Sequence, residues 1–320
     1  MIVRRFSLML ALVLLFAPSM ALAQKTWRLG ILTPALTPLE AIRTLTLPEL
    51  AKEGFVEGQN LAVELRLGST EDLPKLAHEL ASTAPDVVIA VGSEAIRAMR
   101  DSSATPIVGA FIGEDPVTAG YAKSLARPGG SVTGILVLAP KLDAERLVLL
   151  HEVVPNASHL AALAANATRD GPEIAAIEEQ AQRSGFAIRP FYAAVPEEFS
   201  EVLGAMKAAG IEALAISSAP ELASNAERLA TMATEAHIPT MCDWPWMAQR
   251  GCLVAYGPVL AALYQRDANY VSRIFRGARP GDLPIEQPAS FGLGINLKTA
   301  KALGIEVPHS LIAHAYEVIE

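Results

Sequence analysis

Short, wholly apolar runs alternate along this chain with longer stretches whose apolar positions recur every three or four residues. The first kind suits a strand buried on both faces, and the second suits a helix with one face in a core. Their alternation predicts a parallel sheet wrapped by helices. In the first half the pattern predicts strands at 27–32, 61–67, 86–91, 106–112 and 132–138. Helices are predicted over 39–53, from Asp72 through Leu80, from Gly92-Ser93 to Met99, and from Glu114-Asp115-Pro116 onward. Gly54 stands where a helix C-cap is expected, and acidic residues with a proline suit a first helical turn.

A second series follows. Helices are predicted at 142–153, 173–183, 196–208 and 225–236, and strands at 160–165, 186–193, 213–217, 238–242 and 253–256. Two successive strand–helix series predict two doubly wound lobes, an α/β fold, rather than one oversized sheet. The tail breaks the rhythm with a long helix at 260–275, a Pro/Gly-rich stretch at 277–288, a strand at 291–297, a helix at 298–303 and a final segment at 310–320. Such a tail could pass back and forth between the lobes.

The amino terminus sets the compartment. Arg4 and Arg5 precede an apolar run at 6–16, then Pro18 and the small-residue site Ala21-Leu22-Ala23. This order is that of a secretory signal peptide over 1–23, and the run is short for a membrane span. No cysteine follows to accept a lipid, so the expectation is an unlipidated periplasmic protein beginning near Gln24. A length of 320 residues supports two lobes, and 51% hydrophobic with 19% charged residues suits packed domains. The net charge of −8, with basic residues scattered, argues against a nucleic-acid partner. Cys242 and Cys252 flank a strand, a connection and another strand. An oxidising compartment permits a disulfide, but strand ends can hold thiols apart, and two buried free thiols are the favoured reading. Neither cysteine has a Cys or His at metal-ligand spacing, so no metal and no cofactor is expected.

Catalytic signatures such as G-x-S-x-G, a Walker A loop and H-E-x-x-H are absent from the sequence. Gly292-Leu293-Gly294 lacks a third glycine and falls within a predicted strand. The remaining candidates are polar residues at the carboxyl ends of predicted strands, where open α/β sheets bind ligands. These are Thr33, Gly92-Ser93 and Glu114-Asp115 in the first series, and Asn166, Thr168, Ser217-Ser218 and Asp243-Trp244 in the second. Each has an ordinary use as a cap or turn residue; their gathering on one edge of each lobe carries the reading. Gly92 and Ser93 would offer free N–H groups to a carboxylate, Asp115 or Asp243 would pair with an ammonium, and Trp244 or Phe111 would cover an apolar body.

Several longer stretches resemble a known family. They are EGFVEGQN at 53–60, Asp115-Pro116-Val117, SLARPGGSVTG at 124–134, Tyr256-Gly257-Pro258, GARPGDLPIEQP at 277–288 and INLKTAKALG at 295–304. The chain resembles, from about Trp27 to Glu320, the periplasmic substrate-binding components of ABC transporters of the type that includes the tryptophan/tyrosine-binding proteins. The resemblance implies the type I periplasmic-binding fold, with two lobes joined by a three-crossing hinge: 24–138 plus 256–284, and 139–255 plus 285–320. It also implies that Gly92-Ser93, Asp115 and Asn166 face the cleft. The implied role is capture of a small amino-acid-like molecule, organic acid or amide by hinge closure, by a monomer serving an inner-membrane permease and its ATPase. The segment Thr33-Pro34-Ala35-Leu36-Thr37-Pro38 replaces the histidine-containing segment of aromatic amino-acid binders, which leaves the ligand open. A sensory subunit for a membrane signalling partner and a secreted α/β hydrolase are the alternatives.

Overall fold

Five apolar residues in a row, Val87–Val91, are fully covered only if helices lie on both faces of the sheet, and the strand they form is buried along its whole length. The computed structural model describes residues 25–137, 139–165, 171–183 and 185–320. The expected signal peptide at 1–23, Asn166 and Thr168 lie outside the described residues.

The first lobe begins with β1 (Trp27–Thr33), α1 (Leu36–Ala41), α2 (Leu47–Lys52), β2 (Leu61–Leu67), α3 (Leu73–Ser82), β3 (Val87–Val91), α4 (Gly92–Ser102), β4 (Ile107–Ile112) and β5 (Val132–Leu136). The second contains α5 (Ala139–Val153), β6 (His159–Ala164), α6 (Gly171–Arg183), β7 (Ala187–Tyr192), α7 (Phe199–Ala208), β8 (Ala213–Ile216), α8 (Pro220–Ser224), α9 (Ala226–Glu235), β9 (Thr240–Cys242) and β10 (Val254–Pro258). The tail adds α10 (Leu260–Phe275), β11 (Ile285–Glu286), β12 (Phe291–Asn296), α11 (Leu297–Leu303), α12 (His309–His314) and β13 (Glu317–Ile319).

Two sheets result, in the orders β11-β5-β4-β3-β1-β2 and β13-β12-β10-β9-β8-β6-β7. Among the described residues strand pairs are parallel except β10 with β12, which run antiparallel. Each sheet has a core on both faces. In the first lobe, α2 and α10 supply Leu50, Val271 and Phe275 to one face, and α3 and α4 supply Leu80 and Ile96 to the other.

The chain passes between the lobes three times: from β5 to α5, from β10 to α10 and from β11 to β12. Two crossings fall later than the boundaries expected at 256 and 285. Strand β10 stays in the second sheet through Pro258 because Pro258 pairs with Phe291 of β12. Ile285 and Glu286 pair with Gly134 and Ile135, which makes β11 an edge strand of the first sheet. The Thr133 hydroxyl holds that edge by donating to the Leu283 carbonyl at 3.0 Å.

Other departures have local causes. The helix expected from 114 is a single turn that ends at Gly120, whose φ of +77° suits a glycine. The helix expected over 39–53 begins earlier and contains a π-helical turn at Ile42–Thr46, where the Thr46 hydroxyl bonds to the Tyr264 carbonyl at 2.9 Å. Cys242 and Cys252 form a disulfide, so the expectation of free thiols fails. The 3-10 turn Pro245–Ala248 folds the connection back, and β10 starts beside the end of β9 with the two Cα atoms 6.3 Å apart.

Asp267 of α10 is completely buried, and neither carboxylate oxygen has a hydrogen-bond partner. Burial pushes its pKa well above the ordinary carboxylate range, so it is held as the neutral acid. The folded state therefore keeps a proton that the unfolded chain releases near pH 4, and this group's contribution to stability falls as pH rises above that point. Asp267→Asn should remove this slope, of up to about 1.4 kcal/mol per pH unit. Urea unfolding at pH 5 and pH 8 should show the variant gaining on wild type at the higher pH; equal slopes would contradict a neutral Asp267.

Candidate functional site

The site begins with a close approach of two backbones. Gly134 on β5 has φ of +137°, and a Cβ there would lie 2.1 Å from the Gly109 carbonyl oxygen on β4. The β4–β5 register then shifts between Gly109 and Ile112. Within this bulge Phe111 takes φ of +60°, a backbone state uncommon for a bulky side chain and a mark of functional sites. Its ring meets Tyr264 of α10 edge-on at 5.3 Å and Trp244, just beyond β9, at 5.5 Å. The second contact joins the lobes. The carboxyl ends of the two sheets therefore face each other across an aromatic bridge.

On the second lobe's rim, Arg146 of α5 is buried between two carboxylates. Its Nη1 lies 2.8 Å from Asp143 Oδ1 and 3.1 Å from Asp243 Oδ1. Its Nε and Nη2 donate to the carbonyls of Tyr256 and Asp243 at 2.9 and 3.0 Å. Gly257 permits this arrangement, since a Cβ there would meet the Asp243 carbonyl oxygen at 2.0 Å. Asp243 also accepts from the Ser218 hydroxyl and N–H. Two carboxylates share one guanidinium, so when both are ionised the cluster carries one excess negative charge. Burial and the nearby Asp243 push the Asp143 carboxyl up to about 7 against the pull of Arg146. Asp143 Oδ2 and Ser217 Oγ are buried without partners, and both residues line a cavity of about 10 Å³ beneath the ends of β6, β8 and β9.

The first lobe's rim is differently occupied. Gly92, with φ of +82°, starts α4, and the Ser93 hydroxyl accepts from the Gly113 N–H at 3.1 Å, tying the ends of β3 and β4. A Cβ on Gly92 would lie 3.9 Å from Glu94 Oε2, so a carboxylate of the protein already stands beside the helix start. Arg97 spans Glu94 and Glu114 at 3.2 and 2.9 Å. The exposed Asp115 accepts from the N–H groups of Val117 and Thr118, bonds that lower its pKa. Thr33 is fully buried, and its hydroxyl donates to the Ala35 carbonyl at 3.0 Å.

The structure thus brings Phe111 to Trp244, and Ser217 and Ser218 to Asp243, while Thr33 and Asp115 are engaged in their own turns. The sequence reading missed Asp143, Arg146 and Tyr264. Opposite charges three apart near the start of a predicted helix, in Leu142-Asp143-Ala144-Glu145-Arg146-Leu147, are the signal that could have found the first two. No group of acidic, histidine or cysteine residues suited to a metal occurs among the described residues. A serine–histidine contact, Ser158 to His159 at 3.0 Å, is exposed at the amino end of β6, the edge away from the cleft. There Glu212 binds both residues' N–H groups, which lowers its pKa to about 2.

A sequence profile of the family described as ABC transporter substrate binding protein matches residues 39–319. The chain is an ABC transporter substrate-binding protein. Among curated relatives, a tyrosine-binding protein of Clostridioides difficile is 20% identical over 263 residues, covering 80% of this chain and 74% of the relative. Two solved structures share the fold of this binding protein. One is the ABC domain from Streptococcus pneumoniae in complex with L-Trp: TM-score 0.83, 21% identity, 92% of this chain and 100% of that chain covered. The other is the ligand-free, open form of a Clostridium difficile substrate-binding protein with adhesive properties: TM-score 0.67, 23% identity, 92% and 99% covered. These neighbours place the bilobed fold among the type I periplasmic-binding proteins.

Proposed function

We propose that this binding protein is the solute-capturing component of an ABC import system. It works in the periplasm after export and takes one small polar or amphipathic molecule between its lobes. The candidate class is amino-acid-like molecules, small organic acids and amides. Ligand contacts to both lobes stabilise the closed state, which an inner-membrane permease and its ATPase then receive.

The Phe111–Trp244 bridge carries this reading, because it sets an apolar surface between two facing sheet edges where such folds take ligands. The relatives' ligands, tyrosine and L-Trp, support a small molecule with an apolar body. The chain overlays on the Trp-bound neighbour with a TM-score of 0.83 and on the open, ligand-free one with 0.67, which supports a lobe arrangement nearer that of the ligand-bound neighbour.

A thermal-shift screen of the purified protein against amino acids, small organic acids and amides tests it. A true ligand at a hundred times its Kd should add about 2.7 kcal/mol of stability, and X-ray scattering should show contraction. No response from any class, with an unchanged scattering profile, would end the receptor reading.

A further inference from the structure

The charges around the cleft are unevenly answered. Among the described residues, the two rim cations named above are already held: Arg146 between Asp143 and Asp243, and Arg97 between Glu94 and Glu114. The carboxylates are in excess on both sides. Asp143 Oδ2 in the second lobe and Glu114 Oε1 in the first are buried and unpartnered. The start of α4, where a ligand's carboxylate would otherwise be received, has Glu94 beside it.

We propose that the ligand is a cation: an amphipathic amine whose protonated head is received by Asp143 and Ser217, with no carboxylate required. This rests on the receptor reading and narrows it, setting aside organic acids and making the acid half of an amino acid dispensable. Both receiving residues are only 4% exposed, both have an oxygen without a partner, and both line the same cavity. That cavity has room for a single water-sized group, and an ammonium is of that size. A buried acceptor left without a donor is costly, so a donor that satisfies two of them has a strong preference for this place. A cation also neutralises the charge that the pair of aspartates holds in excess over Arg146. Trp244 directly follows Asp243, which also lines the cavity, and its ring together with that of Phe111 offers a surface for the apolar body.

Matched sets of compounds test the proposal with the full protein. The first set is tryptamine, L-tryptophan and indole-3-propionate; the second is isopentylamine, L-leucine and 4-methylpentanoate. Thermal shift and titration calorimetry at pH 8 should show an amine binding at least as tightly as its amino acid and at least 100-fold more tightly than its acid. Asp143→Asn should weaken amine binding at least tenfold. Ser217→Ala, which leaves the Arg146 network intact, should weaken it severalfold with the melting temperature little changed. An Asp143 with only a structural role would lower stability and leave the amine-to-acid ratio untouched. Acids binding as well as amines, an amino acid binding where its amine does not, or an unaltered ratio in both variants would overturn the cation proposal and leave the receptor standing. The same holds if the hits of the broader screen lack a basic nitrogen. Silence across these sets and the broader screen would remove both.

Discussion

Arg146→Met should destabilise the protein by about 3–5 kcal/mol, the usual cost of removing one partner from a buried ion network. The guanidinium makes four contacts that methionine cannot: one to each of Asp143 and Asp243, and one to each of two backbone carbonyls. Its loss strands two carboxylates close together in a buried site. The effect should depend on pH. In the wild type the Asp143 carboxyl sits at about 7, above its ordinary value, so the folded state holds more protons than the unfolded one between roughly pH 4 and 7. Asp143's contribution to stability therefore falls as pH rises through that window and is level beyond it. Without Arg146 the carboxyl rises further and the window extends upward. Urea unfolding should find the penalty larger at pH 8 than at pH 5.5, and adding Asp143→Asn to Arg146→Met should recover part of it. A penalty independent of pH would mean that the aspartates do not feel the arginine's charge.

Gly134→Ala should be of comparable size, on the order of 4 kcal/mol. An added Cβ would lie 2.1, 2.6 and 2.8 Å from three backbone atoms of Gly109, none of which can rotate away. Overpacking of this kind costs about 1–3 kcal/mol, and forcing a non-glycine residue to φ of +137° adds about 1–3 more. Relief requires β4 and β5 to separate, and the bulge that aims Phe111 would move with them. The variant should melt well below wild type and, where still folded, show weakened ligand binding. Gly204→Ala is the control, because a Cβ there meets nothing within 4 Å. Similar melting temperatures for the two variants would show that β4 can shift freely.

Much of this architecture is written in the chain's periodicity. The buried strands β3 and β4, and β6 from Leu160 to Ala164, read as unbroken apolar runs because burial on both faces leaves no place for polar residues. The strands that escaped notice, β11 with two residues and β13 with three, are too short for any period to show. The candidate site was legible in residue type and less so in state. Phe111 and Trp244 were chosen as aromatic residues at strand ends, but the left-handed backbone of Phe111 depends on a glycine pair from two strands 25 residues apart in sequence, Gly109 and Gly134. Asp143 and Arg146 lie in a helix that the periodicity does predict, but among its other charged residues nothing in the sequence marks these two as the pair that turns inward. Thr33 and Asp115 were selected for polarity, whereas their side chains bond to neighbouring backbone. The disulfide depended on the path of the short turn between its cysteines, which strand prediction does not supply.

The three passages between lobes also dictate an order of biogenesis. One face of the first sheet is covered by α10, and its outer edge is β11, so the sheet can be completed only once the chain has been made as far as Glu286, after β6–β10 of the other half. The amino-terminal half must therefore wait, with part of its core uncovered, through the synthesis of more than a hundred further residues from α5 onward. Cleaving the gene at the middle of the chain would yield two incomplete pieces instead of two domains.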